Sequence, residues 1–94
     1  MAIKNKQEKK EIAGKTWIFQ HPGLEAVLDI RERAKDANGN TSDKELFKEL
    51  LEHVVFVEED GVPRRVNFEY FEEEFDSVKV FTEVMSAASK FIFR

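Results

Sequence analysis

Apolar residues in this chain recur at helical spacing over much of its length, and most densely at its end. On a helix at about 100° per residue, Val78, Phe81, Met85, Ala88 and Ile92 form one stripe, with Val80, Val84, Ala87 and Phe91 as a second stripe beside it. Together they span about half the circumference, whereas a helix packed on one core needs an arc of about 100°. The pattern therefore predicts a long terminal helix with one stripe on the core and Val80, Val84, Ala87 and Phe91 available to a partner. A central helix flanked on both sides is the competing reading of the same arc.

Earlier segments are plainer. Lys15–Gln20 is rich in β-branched and aromatic residues and is stopped by His21-Pro22-Gly23, which predicts a short strand. Leu24, Val27, Leu28 and Ala34 share one face of a helix expected from Pro22 to Ala37, ended by Asn38-Gly39-Asn40. Ser42-Asp43-Lys44-Glu45 has the form of a capping box and opens a second helix with Leu46, Phe47, Leu50, Leu51 and Val54 inward. Val54-Val57 can extend that helix or leave it as a strand. Consecutive β-branching and the Asp60-Gly61 turn signal favour a strand at 55–58, paired with residues near 16–20. Asn67 is placed to cap a short helix from Phe68 to Phe75, the alternative being one helix broken near Asp76 and Ser77. In that short helix Phe68, Phe71 and Phe75 would face inward and Tyr70 outward, which makes Tyr70 a further candidate contact residue.

The expected fold is mainly α, α+β with a minor β component: an αα-hairpin, a long C-terminal helix and a two-stranded β element. With 94 residues there is one domain, assigned to 15–94, and residues 1–14 are expected to be a flexible basic tail. The chain has no cysteine, so packing alone must hold it, and nine phenylalanines and one tryptophan supply the apolar volume. No stretch approaches the roughly 20 apolar residues of a membrane span, and no secretory signal is apparent, which points to the cytoplasm.

Charge changes this picture little. Residues 1–15 carry five lysines against two glutamates, a local +3, so the remainder of this −4 chain stands at −7. Eight acids lie between Glu58 and Asp76 with only Arg64 and Arg65 opposing them. Five lysines on a tail are not cations arrayed on a folded face, so nucleic acid is not the expected partner. An acidic inhibitor or nucleic-acid mimic acting on a basic partner is the alternative.

Catalytic and metal signatures are missing from the sequence. His21 and His53 have no companion ligands nearby. The segment Asp36–Phe47 imitates a calcium loop but has glycine at its fourth position instead of its sixth, and phenylalanine where the bidentate glutamate belongs. Adjacent carboxylates in Glu72-Glu73-Glu74 point in different directions on a helix. No enzyme activity, cofactor or metal is expected.

The order of segments is familiar: Thr16-Trp17-Ile18-Phe19-Gln20-His21-Pro22-Gly23, a helix with an Asn38-Gly39 turn, a second helix ending in Leu50-Leu51-Glu52-His53-Val54-Val55-Phe56-Val57, then Val66-Asn67-Phe68 and the terminal Glu83–Phe93. It resembles the small tail assembly chaperones of long-tailed bacteriophages and of prophages of Gram-positive bacteria. That resemblance implies a mainly helical, non-catalytic protein made in the host bacterial cytoplasm and absent from the mature virion. Its implied partners are the tape measure protein, which it coats, and the tail tube protein, which it helps recruit. Val80, Val84, Ala87, Phe91 and Tyr70 are the residues expected to bind such a partner, or to support self-association.

Overall fold

A computed structural model describes residues 6–75 and 78–93. Its elements are β1 (Gln7–Ile12), β2 (Lys15–Gln20), α1 (Leu24–Arg33), α2 (Asp43–His53), β3 (Val55–Glu59), β4 (Val62–Arg65), α3 (Phe68–Glu74) and α4 (Val78–Phe93). The strands form one antiparallel sheet in the order β1-β2-β3-β4. The fold is thus α+β, which corrects the mainly α expectation. The expected pairing of β2 with β3 is found, with Trp17 opposite Val57 and Phe19 opposite Val55. The two edge strands go beyond the expected β element.

Each edge is reached through a two-residue turn. Asp60 and Gly61 have φ of 53° and 77°, and the register runs outward from Glu59 opposite Val62, as a type I′ hairpin requires. Ala13 and Gly14 do the same between β1 and β2, with φ of 56° and 79°. The segment expected to be a tail therefore supplies a strand, and residues 1–5 lie outside the described residues. Trp17 ties β1 down: its indole Nε1–H donates to the Ile12 carbonyl at 3.0 Å.

Ala13 has a Cβ in a backbone region that costs an L-residue roughly 1–2 kcal/mol. Ala13→Asn, which tolerates left-handed dihedrals, should raise the melting temperature by about 3–6 °C. A thermal melt that falls instead would show that this turn is not left-handed.

Alternation along the central strands divides the sheet into two faces. Trp17, Phe19, Val55 and Val57 join a single core with Val27 and Ile30 of α1, Leu50 and Leu51 of α2, Phe71 of α3 and the inner residues of α4. Ile18 and Phe56, paired across the same strands, take the opposite face with Lys9 and Arg65. All helices accordingly lie on one face, giving a two-layer sandwich.

Local chemistry fixes the helix ends. Ser42 Oγ accepts from the Glu45 N–H at 3.4 Å, but the Ser42 N–H goes to the Ala34 carbonyl, so only half of the expected capping box forms. Asn67 Oδ1 accepts from the Tyr70 N–H at 2.8 Å and opens α3. Helix α1 stops at Arg33, short of the expected Ala37, because Lys35 bridges to Thr41 and Asp36 takes over the turn. The Asp36 carboxylate accepts from the Asn38 and Asn40 N–H groups at 2.9 and 3.0 Å, which accounts for this oxygen-rich loop without a metal. Phe75 is extended, so α3 and α4 are separate helices; the break expected at Asp76 and Ser77 lies outside the described residues.

Candidate partner-binding surface

Helix α4 touches β1 and β2 beneath it and α2 and α3 at its sides. That position consumes its wide apolar arc. Val84 and Phe91 of the second stripe are 0% and 3% exposed, and Met85, Ala88 and Ile92 of the first are also buried. Val80 and Ala87 are partly buried and packed on the core. Phe91 sits 6.2 Å from the Phe19 ring and 6.0 Å from His21, while Phe81 is wedged among Phe47, Phe68 and Phe71 at 5.4, 5.6 and 5.0 Å. The expected open docking stripe of Val80, Val84, Ala87 and Phe91 is corrected at Val84 and Phe91, which lie inside a helix flanked on two sides, while Val80 and Ala87 keep partial exposure.

Tyr70 also turns inward. Its ring lies 6.3 Å from Trp17, 5.7 Å from Phe71 and 6.3 Å from Phe75. Its hydroxyl is buried, with the Lys15 ammonium as the polar group nearest to interact with it. Burial holds the phenol above its ordinary pKa, opposed by the Lys15 ammonium, which stands 5.9 Å from the ring centroid. Its place is in the aromatic layer between α3 and β2.

The apolar side chains that remain exposed are others: Leu24 and Leu28 on α1, Val62 on β4, Phe68 at the start of α3, and Val78 and Phe93 at the two ends of α4. Two open clefts accompany them. One, of about 420 Å³, lies where Phe93 and Ser89 meet Arg31 of α1 and Ala34 just past its end, with Thr41 and Leu46 beyond. The other, of about 480 Å³, runs between α2 and the β4–α3 junction. Leu51 and Val66, both nearly fully buried, form its floor, and Phe68 is exposed at its wall. Lys48 and Arg65 stand at the rim with Glu52. Sequence reasoning places Phe68 inward and misses this cleft. The available signal is the Lys48, Leu51, Glu52 spacing, which puts two charges and a floor residue along one side of α2.

Among the described residues no three His, Asp or Glu side chains are grouped to hold a metal, and no helix is long and apolar enough to cross a membrane. His53 lies 3.6 Å from Glu49, a carboxylate already engaged by Arg33 at 2.8 Å. His21 plays a structural part. Its Nδ1 accepts from the Gly23 N–H at 3.0 Å, just ahead of α1, where no side chain caps the helix.

Burial, and secondarily Lys6, lowers the His21 pKa below its ordinary 6.5. As pH falls the unfolded chain therefore takes up this proton first, so the stabilisation is complete above about pH 6.5 and is lost progressively below it. Protonation would also remove the acceptor that Gly23 uses. Melting temperatures should fall between about pH 7 and pH 5.5, and His21→Gln should flatten that decline. An identical slope in the variant would assign the loss to other groups.

Comparison with protein-family models, with curated proteins and with solved structures gives no match for this chain.

Proposed function

We propose that this protein is a non-catalytic tail assembly chaperone of a bacteriophage or prophage, which binds the tape measure protein and helps recruit tail tube subunits in the host cytoplasm. The order of sequence segments from Thr16 to Phe93 carries this reading. The mainly helical fold that the resemblance implies is not the fold found, so the proposal rests on that order and on the presence of surfaces able to hold a protein segment. Both clefts combine apolar residues with flanking cations, and neither gathers the converging acid, base or nucleophile that chemistry on a substrate requires.

Coexpression with a long helical tape measure protein of a long-tailed phage or prophage tests the proposal. The expected result is a soluble complex that co-elutes on size exclusion, and a tape measure protein that precipitates when expressed alone. A tape measure protein equally insoluble in both cases would overturn it, as would recovery of this polypeptide from purified tails.

The alternative of an acidic inhibitor has less behind it. Glu58 is paired with Lys9 at 3.2 Å, Glu59 with Arg64 at 3.4 Å and Glu74 with Lys15 at 3.7 Å, so part of the acidic segment is neutralised within the fold. A partner contact that weakens steeply with salt would favour that alternative.

A further inference from the structure

The cleft between α2 and the β4–α3 junction has a fixed shape and a definite charge. Leu51 and Val66 are only 5% and 6% exposed, so its floor belongs to the folded core. Phe68 is backed by Phe81 at 5.6 Å and follows Asn67, whose side chain holds the first turn of α3. The wall is thereby set before any partner arrives, which limits the ordering that binding would require.

Two of the three charged residues at the rim are cations, Lys48 and Arg65 against Glu52, on a chain whose net charge is −4. Arg65 makes no ion pair among the described residues; its guanidinium rests 6.0 Å from the Phe56 ring centroid. Lys48 meets Glu45 at 3.7 Å across a half-exposed surface, a contact of little strength. Glu52, the acid at this rim, has His53 3.9 Å away.

The neighbouring backbone indicates which conformation fits. β4 is an edge strand, but Pro63 has no N–H to offer. In this hairpin the Glu59–Val62 pair closes the turn, so the next pair, Glu58–Pro63, directs the Pro63 nitrogen to the open side. An added strand would lose a bond there. A helix satisfies its own backbone and needs only side-chain contacts.

We propose that this cleft docks an acidic amphipathic helix, with large apolar anchors one turn apart seated on Leu51, Val66 and Phe68 and carboxylates meeting Lys48 and Arg65. This rests on the reading of the protein as one that binds other proteins, and it names the chemistry of the partner segment.

Two labelled helical peptides of about 18 residues, sharing leucine anchors at i and i+4 but flanked by glutamates in one and lysines in the other, provide the probe. Anisotropy titrations at low salt should show the wild-type protein binding the glutamate peptide about tenfold or more tighter than the lysine peptide. The double variant K48E/R65E, shown to be folded by an unchanged melt, should reverse that preference. Equal affinity for both peptides, no binding of either, or a preference unchanged in the double variant would each overturn the proposal. So would a wild-type dimer that dissociates in the double variant, since the occupant would then be a second copy. Failure here is distinguishable from failure of the proposed function: a tape measure complex that forms equally well with K48E/R65E removes this site and leaves the chaperone reading intact.

Discussion

Val84→Asp and Phe91→Asp should each unfold the domain instead of leaving a folded monomer with a weakened interface. Both side chains are sealed in the core, Val84 at 0% and Phe91 at 3% exposure. A carboxylate at either position would have to enter the core unpaired or be neutralised. It would also forfeit the apolar contact, which for Phe91 includes Phe19 and His21. The combined cost is more than about 4 kcal/mol, a large share of the roughly 5–15 kcal/mol that stabilises a domain. Val78→Asp is the matched control, because Val78 is 77% exposed on the same helix and its replacement should change stability by no more than about 0.5 kcal/mol. Circular dichroism melts decide the matter. A Val84→Asp or Phe91→Asp protein melting within a few degrees of wild type would return these residues to the surface.

Removing residues 1–12 should destabilise the protein sharply, although most of that segment is polar. Its loss strips β2 of all six of its pairings with β1 and opens a new sheet edge beside Trp17 and Phe19. The buried Trp17 indole would lose the Ile12 carbonyl, which costs about 1–3 kcal/mol when a donor is left unpaired. Ile12 packing is lost as well. A total near 3 kcal/mol corresponds to a melting temperature lower by roughly 12–24 °C, with aggregation through the exposed edge. A truncated protein with the melting curve of the full chain would mean that the segment is a dispensable tail.

These two results bear on what the sequence could reveal. Central strands show themselves through side chains: Lys15–Gln20 and Val55–Val57 carry β-branched and aromatic residues because the core selects them. Edge strands leave no such mark. β1 has one apolar residue, Ile12, among six, and β4 is Val-Pro-Arg-Arg with all four residues exposed. Their backbones pair regardless of composition, and their lysines, arginines and proline discourage further pairing. The β3–β4 turn is legible in Asp60-Gly61. The β1–β2 turn is not, because alanine at φ 56° is an unusual choice for the position.

Helix starts are legible where a side chain does the capping, at Ser42 and Asn67. The end of α1 comes earlier than its residues suggest because a tertiary bridge, Lys35 to Thr41, takes the backbone away from the helix. For α4 the width of the apolar arc is visible, but an arc does not count its neighbours. With α2 and α3 alongside and the sheet beneath, a half-circumference of apolar residues is what one central helix needs. The apolar pattern therefore does not by itself mark an open stripe at Val84 and Phe91. The cleft at Lys48, Leu51, Arg65 and Phe68 brings together residues up to twenty positions apart, and only the path of β4 into α3 makes them neighbours.

Native-state hydrogen exchange across α4 tests most directly whether this helix belongs to the monomer's core. The amides of Val84–Ile92 should exchange at the same opening free energy as those of Trp17–Phe19 and Val55–Val57, through unfolding of the whole domain. Exchange of the α4 amides at a clearly lower free energy, while the sheet stays protected, would contradict the assignment and identify α4 as a detachable element free to pass to a partner.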